Sequence, residues 1–269
     1  MTVSSIEGFV NANGASLHYA LAGAGRSVVL MHELGGTLNS WDGVAPKLAQ
    51  HFRVLRYDQR GAGLSEKVRD EFSNDMLVED FEALAAALSL PPPYHFVTVA
   101  AAATQALRHL EQYPERVGAL VLCNPAPGVD PSRAAALDGR AAFATREGMR
   151  ASLPTTLALS YPPQLGDRAA YEAYLGRYLA NDPVCFGFAF RALARTNMLH
   201  MLPKIHCPPW WSPVAMTRCV RMPARPSLRR KFPARGSNSS TRAGTSCRRR
   251  RRARSPFCWK SFCRDEHCD

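Results

Sequence analysis

Short alternating runs of apolar and polar residues open the chain. GFVNANGASLHYALAG carries two such runs around Asn13-Gly14, a pair that is typical of a β-hairpin turn. A continuous apolar run, SVVLMH, follows from Ser27 to His32, as expected for a strand covered on both faces. Further strands are predicted in RVLRYD, YHFVTV and RVGALVLCN.

Apolar residues at helical spacing separate these strands. A helix is predicted in WDGVAPKLAQ, an amphipathic one in NDMLVEDFEALAAALSL, where Asn74 or Asp75 is available as the N-cap, and another in AATQALRHLEQY. Strands that alternate with helices predict an α/β fold: a mostly parallel sheet with right-handed crossovers and helices on both faces.

From PAPGVDPSR to about Pro203 the pattern predicts helices without strands. A helical insertion after a strand, rich in Tyr and Phe, is typical of a cap over a site at the strand ends. Most of its aromatic side chains are expected to form the cap's own core, and Tyr161 and Phe190 are candidates for the pocket.

Length and composition favour one main domain without a membrane span. The chain has 269 residues, 46% of them hydrophobic, which is enough for one sizeable core. No uninterrupted apolar run reaches the roughly 18 to 20 residues that a membrane span needs, and MTVSSIEGFV lacks a signal-peptide pattern. We therefore expect a soluble, cytoplasmic protein.

The net charge of +12 is confined to one end of the chain. Residues 207–269 hold 16 of the 34 Lys and Arg but only 3 of the 22 Asp and Glu, so this tail carries +13 and the rest −1. Six of the eight cysteines also lie there, whereas Cys123 and Cys185 have the apolar surroundings of buried thiols. We expect a core in residues 1–128, a cap in 129–203 and a basic, disordered tail in 204–269.

Three segments carry a resemblance to a known family. HELGGTLNSW, RVLRYDQRGAGLSE and HFVTVAAAATQALRHLEQYPERVGALVLCNP resemble the α/β-hydrolase family, and within it the enzymes similar to 3-oxoadipate enol-lactonases. The resemblance covers about residues 7–206. It implies the α/β-hydrolase fold with a helical cap, a small ester or lactone-like ligand, and no cofactor or metal.

The family's nucleophile motif, GxSxG, is altered in this chain. In the family a Ser on a strained strand-to-helix turn attacks the acyl carbon, with a His as base and an Asp orienting it. Residues Thr98 to Ala102 occupy the five places, Ala100 stands at the Ser position, and neither glycine is present. Because Ala has no reactive atom, an acyl-enzyme cannot form at this turn, and Thr98 and Thr104 lie too far from its apex to replace the Ser.

Other site residues follow from the resemblance. The backbone N–H groups of Leu34 and Ala101 would form the oxyanion hole, which does not depend on side-chain identity. His32, Glu33 and Gly35 are candidates for substrate binding. For His32 we prefer a hydrogen-bonded structural role to a catalytic one, and Glu33 is either a base or cation ligand at the pocket mouth or a solvated side chain.

The tail agrees with the family in a neighbouring reading frame. Since Trp and Met have single codons, the junction Trp210-Trp211 forces a Val and Met216-Thr217 forces an Asp in that frame. It permits CPTLVVAGRHD, which resembles the family's strand and catalytic acid, and a His across Gly244 and Thr245. We infer the loss of one nucleotide near Pro208, which would remove the acid, the His, and the last strands and helix, leaving residues after about 205 poorly ordered.

Three functional interpretations remain open. The first is a relative of carboxylic-ester or enol-lactone hydrolases that is itself weakly active or inactive. The second is a non-catalytic protein that binds small ligands in the same cleft. The third is a hydrolase or lyase in a parent chain with an intact frame, which uses Asp and His as a general base without a Ser.

The tail itself has two alternative interpretations. Arg248–Arg252 would bind phosphate non-specifically, but no recognition motif accompanies them, so we expect no specific nucleic-acid partner. A zinc site is disfavoured because Cys247, Cys258, Cys263 and Cys268 are spaced by 11, 5 and 5 residues and form no CxxC pair.

Overall fold

A single mixed sheet organises the protein. The computed structural model describes residues 5–161, 167–205 and 209–212. Within them the strands are ordered β1-β2-β4-β3-β5-β6-β7. The strands are β1 (Ser5–Ala12), β2 (Ala15–Ala22), β3 (Ser27–Met31), β4 (Arg53–Tyr57), β5 (Tyr94–Val99), β6 (Val117–Cys123) and β7 (Pro209–Ser212). The α-helices are α1 (Ala45–Leu48), α2 (Asn74–Ala87), α3 (Ala102–Gln112), α4 (Pro131–Ser152), α5 (Leu157–Ser160), α6 (Arg168–Leu179) and α7 (Pro183–Ala194).

The predicted hairpin at the start of the chain is confirmed. β1 and β2 pair antiparallel, with Ala12 opposite Ala15. Asn13 and Gly14 between them have φ of 50° and 75°, the left-handed backbone that a two-residue hairpin turn requires at both central positions. β2 then pairs antiparallel with β4.

The remaining pairings are parallel and build the centre of the sheet. β4, β3, β5, β6 and β7 are joined by parallel ladders, and every residue of β3 is buried. Because parallel strands end at the same edge of the sheet, the loops that follow β3, β4 and β5 meet there. This edge is where the sequence places its candidate site residues.

Helices cover both faces, as predicted. One apolar core lies between the sheet and α2 and α3, where Phe81, Leu84 and Leu107 pack on Tyr94 and Phe96 of β5. The other lies under α1 and the short helix before it. Its buried members are Val28, Leu30, Trp41, Val44, Ala45, Leu48, Ala49, Val54 and Val97.

Two helix starts differ from the prediction. The helix expected from Trp41 onward is a 3-10 turn, Leu38–Trp41, followed by the four-residue α1. Pro46 stands in the first turn of α1, where a missing N–H is tolerated, and this prevents one continuous helix. α2 is capped by Ser73, whose side chain accepts from the N–H of Met76, rather than by Asn74 or Asp75.

The helices predicted after β6 are present as α4 to α7. Gly148, with φ of 84°, interrupts α4. The helices bury an aromatic and aliphatic cluster that includes Tyr178, Phe186 and Phe190. No helix in the described part of the chain is long and apolar enough to cross a membrane.

A strand occurs where the sequence pattern predicts none. Pro209–Ser212 forms β7 and pairs parallel with Leu120–Cys123 of β6. A ladder uses main-chain groups, so it needs no alternation of apolar side chains. The other residues after Ile205, with the predicted disordered tail, the arginine run and the tail cysteines, lie outside the described residues.

Candidate ligand-binding cleft at the strand ends

A shallow cleft that is partly open to solvent lies at the carboxyl end of the parallel strands, where the space between protein atoms, open solvent included, is about 570 Å³. The loops after β3 and β4 and the first turns of α3 form one side of it, and α7 forms the opposite wall. Its apolar lining includes Phe72, Leu77, Phe186, Ala189, Ala192 and Leu193. Its polar lining includes His32, Glu33, Gln59, Arg60, Asn74, Thr104, Gln105, Asn181 and Cys185.

Ala100 forms the apex of the turn between β5 and α3. Its φ is 50°, a left-handed conformation that costs a residue with a Cβ about 1 to 2 kcal/mol. The Ala100 N–H donates to the carbonyl of Cys123 at 3.1 Å, and its carbonyl accepts from Ala126 at 3.0 Å. The loop after β6 therefore holds the strained turn through main-chain groups.

The two nearby threonines do not reach this apex. Thr98 lies within β5, is 0% exposed, and its hydroxyl has no hydrogen-bond partner among the described residues. Thr104 lies in the first turn of α3, and its hydroxyl is 2.8 Å from the carbonyl oxygen of Ala101. The threonines thus lie where the sequence predicts them.

Two backbone N–H groups remain unpaired beside the turn. Leu34, after β3, and Ala101, the residue before α3, both line the cleft. Neither N–H has a hydrogen-bond partner in the described part of the chain. Unpaired donors at a helix start and a neighbouring loop are suited to binding an oxygen that carries partial negative charge.

His32 is fixed as a neutral structural side chain. The backbone N–H of Gln59 donates to its Nε2 at 3.0 Å, so that nitrogen carries no proton. Nδ1 is then the protonated nitrogen and donates to the carbonyl of Glu33 at 2.8 Å. Because both ring nitrogens are occupied by the main chain, the geometry favours the structural role.

Glu33 is held by hydroxyl groups on both sides. Its carboxylate accepts from the hydroxyl of Ser40 at 2.9 Å and from the hydroxyl of Tyr174 on α6. Burial, together with the negative charge of Glu33, raises the pKa of Tyr174 well above its ordinary value, so the phenol stays protonated and keeps donating. Glu33 therefore links the loop after β3 to the helices above it.

Gly35 lies where this loop meets those helices. Its φ is 79°, and a Cβ at this position would come within 3.0 Å of the side chains of Tyr178 and Phe186. The side-chain amide of Asn181 donates to the Gly35 carbonyl at 3.0 Å. A glycine is required here by both the conformation and the space, and the contact positions the neighbouring N–H of Leu34.

The remaining ionisable groups of the cleft are also engaged. Arg60 forms a buried two-point ion pair with Asp80, which also accepts from Asn13. Cys185 is 2% exposed, and burial, followed by the charge of Asp182, raises the pKa of its thiol to about 11. Among the described residues no group of His, Cys, Asp and Glu side chains is arranged to hold a metal ion.

Sequence reasoning missed several cleft residues, Gln59 and Gln105 among them, and three of the residues that it named, Ala100, Tyr161 and Phe190, are not part of this lining. Gln59 and Gln105 are joined by a hydrogen bond of 2.6 Å on the cleft wall. The position of Gln105, in the helix that directly follows the turn at Ala100, was the available signal. Phe190 lies in the aromatic cluster of the helices, and Tyr161 stacks on Tyr171 with centroids 5.8 Å apart.

Residues 26–163 match a family model described as alpha/beta hydrolase fold. The chain belongs to the α/β-hydrolase family. The match contains β3, the strained turn and β6, which are the elements that carry the sequence resemblance. The mostly parallel sheet with helices on both faces is therefore the fold expected from the sequence.

Solved structures and curated proteins agree with this assignment. A hydrolase from Pseudomonas aeruginosa PA01 is 31% identical over 76% of this chain and 78% of that chain, with a TM-score of 0.69. The enol-lactonase from Burkholderia xenovorans LB400 is 23% identical over 75% and 79%, with a TM-score of 0.69, which shows the shared fold.

A curated relative matches over a shorter segment. The 2-hydroxy-6-oxo-6-(2'-aminophenyl)hexa-2,4-dienoic acid hydrolase of Metapseudomonas resinovorans is 32% identical over 124 residues, which cover 45% of this chain and 43% of that protein. This α/β-hydrolase thus spans less than half the length of the curated relative it matches.

Proposed function

We propose that this α/β-hydrolase binds a small ester or lactone-like compound in the cleft without forming an acyl-enzyme. The observation that carries the proposal is the strained turn at Ala100. Its backbone is left-handed like that of a nucleophile elbow, and its side chain is only a methyl group. The unpaired N–H groups belong to Leu34 and Ala101, which line the cleft. A ligand carbonyl oxygen would accept from the N–H groups of Leu34 and Ala101, as in the family's oxyanion hole.

The side chains of the cleft support binding rather than turnover. His32 is neutral and doubly hydrogen-bonded, Glu33 is held by two hydroxyl groups, and Arg60 is paired with Asp80. None of the three is free to take a proton from water in this arrangement. Tyr161 and Phe190 stay candidates for ligand contact only if the helices rearrange around a larger compound.

The proposal is tested by titrating the full chain with methyl benzoate and γ-butyrolactone. Calorimetry should detect saturable binding, and hydrolysis of the same compounds should stay at the rate in buffer. In an isotope-labelled sample the amide resonances of Leu34 and Ala101 should shift on binding, whereas that of Gly43, which is not among the cleft-lining residues, should not. Absence of binding, or binding that leaves the Leu34 and Ala101 resonances unmoved, contradicts the proposal.

We also propose that the loss of one nucleotide near Pro208 explains the basic, cysteine-containing composition of the tail. Sequencing of the source DNA across the codons for Cys207 to Trp211 should show one base fewer than in relatives, and an intact frame shared by relatives would contradict it. Four proteins then separate the functions: this chain and a frame-restored chain, each with Ala100 and with Ala100→Ser. We expect ester hydrolysis only from the frame-restored Ala100→Ser protein. Turnover by the frame-restored Ala100 protein would instead favour general-base catalysis without a Ser.

A further inference from the structure

The hairpin turn at Asn13-Gly14 brings a side-chain amide next to an open main-chain nitrogen. Both residues are exposed. A Cβ built on Gly14 would meet no atom within 4 Å, and the Gly14 N–H has no hydrogen-bond partner among the described residues. Because glycine has no side chain, nothing shields this nitrogen from the amide that precedes it. The turn therefore has the groups needed for an attack of the Gly14 nitrogen on Asn13 Cγ.

The reaction open to such a pair is deamidation through a cyclic imide. The Gly14 nitrogen forms a bond to Asn13 Cγ, the Cγ–Nδ2 bond breaks, and the Gly14 proton leaves with Nδ2 as ammonia. Water then opens the five-membered imide at either of its two carbonyl carbons. One product is aspartate in an ordinary main chain, and the other is isoaspartate, whose main chain runs through Cγ. Both products add one negative charge to the turn.

One side-chain hydrogen bond opposes this reaction in the folded protein. Asn13 Nδ2 donates to Asp80 Oδ1 at 2.9 Å. Since Nδ2 is the leaving group, the bond must break before ammonia departs. A hydrogen bond to a charged group makes the released side chain about tenfold to a hundredfold rarer than the bound one. The fold should therefore slow deamidation by about this factor without preventing it.

The same amide belongs to a closed ring of hydrogen bonds around a buried ion pair. Arg60 donates to both carboxylate oxygens of Asp80 and, through Nη2, to the main-chain carbonyl of Asn13 at 2.7 Å. Asp80 is 1% exposed and Arg60 9%. A carboxylate at position 13 has no hydrogen to donate, so it would face Asp80 where the amide now binds. Two carboxylates would then share one guanidinium, and their like charges disfavour this arrangement.

We propose that Asn13 is a site of spontaneous deamidation and that its products weaken the buried ion pair between Arg60 and Asp80. In the aspartate product the new carboxylate repels Asp80. In the isoaspartate product the carboxylate derives from the main-chain carbonyl that Arg60 now binds, so it competes with Asp80 for the guanidinium. Because Arg60 lines the cleft, the modification changes the charge balance of the cleft wall.

Peptide mapping of the aged full chain tests the modification. One portion is kept folded in mildly alkaline buffer and another in the same buffer with urea, and both are digested with trypsin. The first tryptic peptide, residues 1–26, contains Asn11 and Asn13, which tandem mass spectrometry separates. Asn13 should convert to both acids in each portion, about tenfold to a hundredfold more slowly in the folded one. Asn11, which Ala12 follows within β1, should keep its amide in the folded portion.

Two encoded variants test the effect on the ion pair. Asn13→Asp reproduces one product, and Asn13→Gly is its matched control, because glycine also loses the amide but accepts the left-handed backbone and adds no charge. The urea midpoint of Asn13→Asp should lie below that of Asn13→Gly. In an Asp80→Asn background this difference should vanish, because no second carboxylate is present. If the Asp80→Asn protein does not fold, the comparison of the two single variants still decides.

Each part of the proposal has an outcome that overturns it. If Asn13 keeps its amide in the folded portion after complete conversion in urea, or converts no faster than Asn11, the turn is not a deamidation site. If Asn13→Asp is as stable as Asn13→Gly, the modification does not weaken the ion pair. None of these outcomes depends on whether the cleft binds a ligand.

Discussion

The loop that follows β4 and the turn that follows β5 lie at the same edge of the sheet. Their conformations are stabilised by different kinds of hydrogen bond. In the loop, the buried carboxylate of Asp58 accepts from the N–H groups of Leu38 and Leu64 at 2.7 and 2.8 Å and pairs with His18 at 2.8 Å. In the turn, Ala100 is held by its own N–H and carbonyl. Side-chain identity therefore fixes the loop, and main-chain bonding fixes the turn.

This difference explains how the turn keeps its conformation with only a methyl group at its apex. Replacing a Ser by Ala at the apex removes chemistry but no bond that the turn needs. The loop after β4 has no such tolerance, since each of its buried charges depends on a partner. The following variants probe the contrast, from the largest expected effect to the smallest.

Breaking the ion pair between Arg60 and Asp80 should have the largest effect on the free energy of unfolding. Asp80→Ala leaves the buried Arg60 without its partner and should lower the free energy of unfolding by about 3 to 5 kcal/mol, measured by urea denaturation. Arg168→Ala, which breaks an exposed i,i+4 pair with Glu172, should change it by less than about 0.5 kcal/mol. A similar small effect for both variants would mean that the buried pair does not stabilise the loop.

Gly35→Ala should both destabilise the protein and weaken ligand binding. The φ of 79° and the 3.0 Å approach to Tyr178 and Phe186 predict a loss of about 1 to 2 kcal/mol and a displaced Leu34 N–H. Gly43→Ala is the matched control, because a Cβ there meets no atom within 4 Å. Urea denaturation and methyl benzoate titration of both variants check the prediction, and unchanged binding in Gly35→Ala contradicts it.

Two Ala→Gly variants should shift stability in opposite directions. At Ala100 a glycine relieves the left-handed strain of about 1 to 2 kcal/mol against a chain-entropy cost of about 0.5 to 1, so the protein should gain about 0.5 kcal/mol. Ala106, buried within α3, should lose about 1 kcal/mol on the same change. Thermal denaturation compares the pair, and destabilisation by Ala100→Gly would show that the turn carries no strain.

The smallest effect concerns the contact between the segment before α2 and helix α7. Hydrogen bonds from Arg195 and Arg191 hold the pKa of Glu71 below its ordinary value of 4.5. The ionised carboxylate therefore stabilises the fold above pH 4.5, and this contribution is lost as the pH falls through the lower folded-state pKa. Since Glu71 is partly exposed, the contribution should stay below about 1 kcal/mol.

Glu71→Gln tests this pH dependence directly. The variant should be less stable than the unaltered chain above pH 5, and the difference should shrink towards pH 3, as measured by urea denaturation across this range. In a background with both Arg191→Met and Arg195→Met the difference should vanish. A difference that grows as the pH falls would reverse the predicted sign.

The sequence predicted the fold largely because its local signals agreed with each other. The Asn13-Gly14 turn, the apolar run of β3 and the helical spacing of α2 each carry enough information within a few residues. Helix ends were less predictable: Ser73 and Asn74 are both suitable caps, and only the hydrogen bond of Asn74 with Thr104 explains why Ser73 is used.

The candidate site was predictable only where backbone geometry follows from chain position. Ala100, Leu34 and Ala101 could be placed because the turn and the loop have fixed places in the fold. Gln59 and Gln105 lie 46 residues apart, and their contact exists only once β4 and α3 are packed together. The ion pair between Arg60 and Asp80 likewise forms only when the loop after β4 packs against α2.

The strand β7 has a consequence for how this protein behaves in a concentrated solution. Its pairing with β6 places main-chain groups of the tail against the edge of the sheet. A chain shortened after Ile205 would leave that edge of β6 without this partner and open to the edge of another copy. Removing the basic tail to improve the sample would therefore promote self-association through the sheet, although the tail is the part of the chain that looks most dispensable.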